Sequence, residues 1–194
     1  YARTDSSQWS KVWNISDGAI LRGPEWQASS PEWQVKGPKV SANAPSPFPD
    51  DPPGLVALRD AVLKVCEKIK NIPEVKRLVF FPYVWPPKTS ISWHTDGSES
   101  YSDRIGAFTF YVHKYWNSEW GGEFLVSEIE GLSNSNMPFD NSETSEKIIS
   151  RGYGTWIAPK PNRLLINPSS MFHKVAKTTE NANPRLSIQG FLFR

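Results

Sequence analysis

The sequence predicts a mainly β domain with one flanking helix, arranged as a double-stranded β-helix, or jelly roll. Three observations carry that prediction. Short apolar stretches bounded by turn residues recur from position 78 to the end of the chain, as expected of a two-sheet β architecture. One amphipathic helical pattern precedes them. Two histidines and an aspartate fall on two of the expected strands, in positions from which they can share one ion.

Residues 1–53 form an extension rich in Trp, Pro and Ser. Trp9, Trp13, Trp26 and Trp33 speak against disorder there, so one or two short strands are expected around 19–21, packed on the main sheet. An aromatic lid over a substrate is the sharper alternative for these rings. Pro45, Pro47, Pro49, Pro52 and Pro53 keep 41–53 as extended coil, because each proline fixes φ and removes a backbone donor. In 54–70, Leu55, Leu58, Val62, Val65, Cys66 and Ile69 recur at three- and four-residue spacings with Arg59, Lys64, Glu67 and Lys68 between them. That pattern predicts an amphipathic helix over 54–70, entered from proline and ended before Pro73.

The core occupies 78–194. A strand is expected over 78–83, with Pro82, Pro86 and Pro87 interrupting the chain at its end and beyond. The stretch 97–103 is polar and Gly/Ser-rich and reads as a loop beside the site, with Tyr101 as a candidate substrate contact. Along the strand 104–113, alternation puts Ala107, Thr109, Tyr111 and His113 on one face. The segment 115–122 reads as a hairpin turn whose glycines allow close backbone approach and whose aromatics pack. The polar stretch 131–154 is longer than the fold needs and is a candidate lid. Strands resume at 154–158 and 163–167, continue through the short apolar run 171–175, and end with 184–193.

Bulk properties exclude several functions. At 194 residues the chain is one domain with an extension and can bury a sizeable core. Its 22 Lys+Arg and 20 Asp+Glu are interspersed and leave a formal charge of +2, with no basic stripe for nucleic acid. The single cysteine, Cys66, forbids an intrachain disulfide and lies in the helical pattern, where a small buried thiol is expected. No apolar run has membrane-spanning length and no leader is evident, so a cytoplasmic protein without a membrane partner is expected. The oligomeric state is not legible.

The chemistry-bearing residues are His94, Asp96, His173 and Arg185. Residues i and i+2 of a strand share a side, so His94 and Asp96 can reach one metal while Thr95 looks away. His173 can add a third ligand from a distant strand. Two imidazoles and one carboxylate on one face of an octahedron suit iron(II), leaving the other positions for co-substrate and gas. On the last strand, Arg185 and Ser187 share a face, a guanidinium fork and a hydroxyl suited to a terminal carboxylate. Short strands with such a triad make the jelly roll cupin-like.

This pattern resembles the iron(II)/2-oxoglutarate-dependent dioxygenases: His-x-Asp, a distant His, and a basic residue a short way on as Arg-x-Ser. Two further stretches are similar to the prolyl-4-hydroxylase-like branch, RIGAFTFYVHKYWNSEWGGEFLV over 104–126 and IAPKPNRLLIN over 157–167. The resemblance covers about 78–194 and implies the cofactors Fe(II), 2-oxoglutarate and O2. It implies His94, Asp96 and His173 as metal ligands, with Arg185 and Ser187 on the far carboxylate of 2-oxoglutarate. It also implies Tyr83, Thr109 and Tyr111 in the co-substrate pocket, with a plain core tyrosine as the competing reading of Tyr83. Arg104 matches an arginine at the pocket mouth, where it would meet an acidic group on the substrate or pair with Asp103 or Glu99. His113 matches a different polar residue and is not expected to be a ligand. The implied reaction is hydroxylation, or another oxidation that begins with C–H abstraction. The carboxylate of Asp96 argues against the related halogenases, which carry a small residue there. A small-molecule substrate, such as an amino acid or natural-product intermediate, is expected, with a prolyl or other protein side chain as the alternative. A non-catalytic binding module on the same fold is the alternative of another class.

Overall fold

Alternation along one strand, β5 (Arg77–Trp85), divides the interior. Leu78 and Phe80 face one way, and Val79, Phe81, Tyr83 and Trp85 face the other. This is seen in a computed structural model that describes residues 10–11, 16–38, 49–70, 72–97, 102–129 and 142–194. On the first side lies helix α1 (Pro53–Cys66), whose buried stripe Leu58, Val62 and Cys66 packs with Leu78, Phe80, Phe108 and Leu192. Each such apolar side chain contributes about 1.5–3 kcal/mol on full burial, so this stripe decides where the helix docks. The second side faces another sheet across Ile91, Phe124, Val126 and Val175.

The remaining strands are β1 (Ser10–Lys11), β2 (Ser16–Asp17), β3 (Leu21–Arg22), β4 (Trp26–Ser29), β6 (Ser90–His94), β7 (Arg104–Tyr111), β8 (Phe124–Ser127), β9 (Thr155–Ile157), β10 (Leu164–Pro168), β11 (Phe172–Val175) and β12 (Arg185–Phe193). The larger sheet runs β1-β3-β5-β12-β7-β10, with β4 also paired to β5. The smaller runs β2-β6-β11-β8-β9. Every pairing is antiparallel, and the facing sheets form a double-stranded β-helix. Among the described residues no helix is long and apolar enough to cross a membrane.

Several expectations are corrected. Proline does not end the strand expected over 78–83; β5 continues through Pro82 to Trp85. Pro82 presents its carbonyl to Gly23 N–H at 2.8 Å, on the side where β4 stops at Phe80 and β3 begins at Tyr83. Its missing donor thus falls in a gap between partners. The helix expected over 54–70 starts at Pro53, a position where a missing N–H costs nothing, and ends at Cys66; tight turns carry the chain to Ile72. The segment 115–122 is not a hairpin turn, because β7 and β8 lie in different sheets and a 3₁₀ turn, Ser118–Trp120, lies on the crossing. The second half of the expected loop 131–154 holds a helix, α2 (Ser142–Arg151), while 130–141 lies outside the described residues. The short strand expected around 19–21 corresponds to β3, which begins at Leu21 and pairs with β5, and β2 and β4 lie to either side of it. Trp26 packs in the cluster beneath α1 and not over a substrate; Trp9 and Trp13, with most of 41–53, lie outside the described residues.

Gly190 on β12 gives a direct test of this packing. A Cβ there would meet the Val79 carbonyl oxygen at 1.8 Å and ring carbons of Phe108 at 2.6 Å. Backbone of the central ladder cannot yield, so G190A is expected to destabilise by at least about 3 kcal/mol. The midpoint of urea unfolding measures this, and an unchanged midpoint would refute the close approach.

Candidate metal centre

His94 and His173 are direct partners across the β6–β11 ladder, and their rings lie 4.3 Å apart. Asp96 comes just beyond the end of β6, rather than within the strand as alternation alone assumed. Its Oδ1 lies 3.9 Å from His94 Nε2 and its Oδ2 lies 3.6 Å from His173 Nε2. One ligand atom from each residue falls within 4.8 Å of the others, close enough to hold one metal ion.

Each imidazole is prepared for ligation by its other nitrogen. His94 Nδ1 lies 2.7 Å from the Ser92 carbonyl and His173 Nδ1 lies 2.9 Å from that of Met171. A carbonyl only accepts, so Nδ1 carries the proton and Nε2 offers its lone pair. Phe124 stacks on His173 at 4.7 Å and fixes the ring plane. Burial and the neighbouring His173 lower the His94 pKa to about 4, so the imidazole is neutral at ordinary pH. Unfolded His94 protonates near 6.5 and folded His94 resists, so the metal-free protein should lose stability as pH falls from 6.5 toward about 4. Thermal unfolding of the metal-free chain across that range checks it; a midpoint that rises on acidification contradicts it.

Next to the triad lies a cavity of about 230 Å³ lined by His94, Asp96, His173, Tyr83, Thr109, Tyr111, Arg104 and Arg185 together. Cross-strand register explains the convergence. Tyr83, Ser187 and Tyr111 form one row across β5, β12 and β7, and Phe81, Gln189 and Thr109 form the next. Arg185 stands opposite Trp85, and its guanidinium lies 3.9 Å over the indole. It is 1 % exposed, and Nη1 donates to the Gly122 carbonyl at 2.9 Å. Its Nε and Nη2, and the Tyr111 hydroxyl, are buried with no hydrogen-bond partner among the described residues. Burial lowers the Arg185 pKa and raises that of Tyr111. A buried cation with two idle donors is costly unless an anion meets them, which is the donor set a carboxylate needs.

The remaining site residues differ. The Ser187 hydroxyl accepts from Gln189 Nε2 at 3.0 Å, and Gln189 itself lines the cavity. Tyr83 is buried, and burial holds its hydroxyl well above the ordinary value against the pull of Arg22. Arg104 Nη1 donates to the Asp96 carbonyl at 2.8 Å, and the guanidinium stacks 3.8 Å over Phe191. Asp103, one expected partner for Arg104, instead pairs with Arg77 at 3.3 Å from the turn that leads into β7. Tyr101 and Glu99 lie outside the described residues. His113 is buried against the Pro159 carbonyl at 2.7 Å and is not part of the cluster of possible ligands.

Sequence reasoning missed Trp85, Gly122 and Asn167. The apolar pattern of β5 marks Trp85 as core and nothing more, and a carbonyl such as that of Gly122 leaves no trace in residue type. Asn167 stands out only as a polar residue ending an apolar strand; it is 4 % exposed, and its Nδ2 donates to Asp96 Oδ2 at 3.1 Å.

Fold and site together describe a cluster of two histidines and an aspartate able to hold one metal ion, beside a cavity that Arg185 helps to line. The family model of the 2OG-Fe(II) oxygenase superfamily matches residues 80–193, and the chain belongs to that superfamily. Its cofactors are accordingly Fe(II), 2-oxoglutarate and O2, and the donor set of His94, Asp96 and His173 fits the iron. No curated protein sequence matches the chain. Among solved structures, a Pseudomonas putida prolyl-4-hydroxylase aligns at 14% identity with a TM-score of 0.60, covering 97% of this chain and 78% of that one. A Trichoplax adhaerens prolyl hydroxylase, in complex with a hypoxia inducible factor oxygen degradation domain peptide fragment, gives 15%, 0.54, 97% and 71%. AviO1 from Streptomyces viridochromogenes gives 11%, 0.53, 99% and 75%. At these identities the likeness is one of fold.

Proposed function

We propose that the protein uses 2-oxoglutarate and dioxygen to hydroxylate, or otherwise oxidise at a C–H bond, a small molecule such as an amino acid or natural-product intermediate. One observation carries the reading: the three ligand side chains and the unpaired donors of Arg185 line the same buried cavity. When bound, ferrous iron with 2-oxoglutarate and O2 supplies an oxidant for C–H bonds, and 2-oxoglutarate leaves as succinate and CO2.

The chain's own residues bind, orient and shield. His94, Asp96 and His173 would hold the iron by three positions and leave the others open. Arg185 Nε and Nη2, with the Tyr111 hydroxyl, would receive the far carboxylate of 2-oxoglutarate. Trp85 packs the guanidinium and keeps water from it. Ser187 would assist through Gln189, while Thr109 and Tyr83 shape the walls. Arg104 at the mouth would meet an acidic group of the substrate, and Tyr101 would be a further substrate contact. Asp96 occupies the place a halide would need, which favours oxygen insertion over halogenation.

A small molecule is the first reading of the substrate, and the cavity of about 230 Å³ beside the triad is where 2-oxoglutarate would sit. A peptide side chain is the second reading, because two structural neighbours are named prolyl hydroxylases, one with a bound peptide; that is analogy of fold. Succinate release from 2-oxoglutarate, measured against amino acids, small metabolites and proline peptides, tests both. Stimulation by peptides alone would overturn the small-molecule reading, and no succinate under any condition would overturn the oxygenase reading.

A further inference from the structure

The chain holds Asp96 differently from the two histidines. His94 and His173 lie on paired strands, where the ladder fixes their backbone, whereas Asp96 lies past the end of β6. Three hydrogen bonds to segments of the larger sheet and its flank take the place of a ladder. Arg104 Nη1 donates to the Asp96 carbonyl at 2.8 Å, Gly97 N–H donates to the Ser169 carbonyl at 2.8 Å, and Asn167 Nδ2 donates to Asp96 Oδ2 at 3.1 Å. Of these three, the last alone reaches the carboxylate.

Asn167 is suited to fix that group. It is 4 % exposed and stands on β10 opposite Ala107 of β7, so its place is set by the larger sheet and not by the turn it restrains. Its Nδ2 also lies 3.4 Å from the Pro168 carbonyl. Both neighbours of that atom are acceptors only, so it must be the amide nitrogen. A carboxylate is otherwise free to turn about a broad, two-fold torsion. A donor anchored in the opposite sheet removes that freedom before any ion arrives.

Resting on the metal-centre reading above, we propose that Asn167 is a positioning residue whose amide orients the Asp96 carboxylate toward His94 and His173 and thereby raises the affinity of the site for a divalent ion. Residues that orient metal ligands typically contribute about 10- to 100-fold in affinity.

The experiment titrates the full chain with Mn(II), read from the EPR signal of the free ion, for the unmodified protein, N167L and N167S. Thermal unfolding of each metal-free protein is measured alongside. Leu keeps the approximate shape of Asn and removes its donors, and Ser leaves a smaller, less demanding side chain. The expected result is a loss of about 10-fold or more in Mn(II) affinity in both variants, with the metal-free midpoint nearly unchanged. Affinity within two-fold of the unmodified protein would overturn the proposal. So would variants that fail to fold or melt far lower without metal, since the role would then be structural. Unmodified protein that takes up no Mn(II) would instead sink the metal-centre reading on which the proposal stands.

Discussion

His173→Ala abolishes stoichiometric metal binding and with it all succinate formation. His173 supplies one of three ligand atoms that lie within 4.8 Å of one another, and no second His, Cys, Asp or Glu cluster exists among the described residues to replace it. With only His94 and Asp96 left, the site drops to two protein ligands, and solvent completes the ion's shell. The fold should survive. His173 is paired in the middle of the smaller sheet, with neighbours on both β6 and β8, and Ala keeps every backbone hydrogen bond of that ladder. The substitution removes a ring stacked on Phe124, a packing loss of about 2 kcal/mol or more. Metal content by atomic absorption, together with circular dichroism, separates the two effects. Stoichiometric iron in a folded variant would show that the triad is misassigned.

Arg185→Ala raises the 2-oxoglutarate requirement by about an order of magnitude or more, because charge-assisted contacts of this kind are worth about 1.5–3 kcal/mol. Three features of the structure make the loss specific to an anion. Arg185 is 1 % exposed, and among the described residues neither its Nε and Nη2 nor the nearby Tyr111 hydroxyl has a hydrogen-bond partner. Ala also opens a void beneath Trp85, so R185K serves as the companion: it keeps charge and length but loses the planar fork. The KM for 2-oxoglutarate should rise in both, most in R185A, while Mn(II) affinity stays near that of the unmodified protein. An unchanged requirement would move the anchor elsewhere. A parallel loss of metal affinity would mean that the void had disturbed the whole cavity.

Much of the site was legible in residue type and spacing. His94, Asp96 and His173 stand out by the ligand chemistry of iron, and Arg185 with Ser187 two apart by strand periodicity, while Asp96 falls past the end of β6 where alternation alone would have kept it in the strand. The strand of Arg185, β12, and its neighbours β5 and β7 were also found, because they are long and apolar enough to declare their period. Less was legible where a short polar stretch takes its structure from surroundings. The stretch 142–151 reads as loop by composition and is a helix. Pro82 reads as a break and lies within a strand, because whether a missing donor matters depends on the neighbour beside it.

Alone, the amino-acid order pointed to the side chains with the chemistry to act. Metal ligands and carboxylate anchors are chosen by the chemistry of their atoms, and alternation along a strand is a local property of the backbone. Only the tertiary structure decided how those side chains meet. Register placed Arg185 against Trp85, the Tyr83 row across three strands, and Asn167 against Asp96 from the opposite sheet. Such pairings join residues far apart in sequence, and their energies depend on burial and on orphaned donors, which belong to the folded interior and not to any stretch of chain.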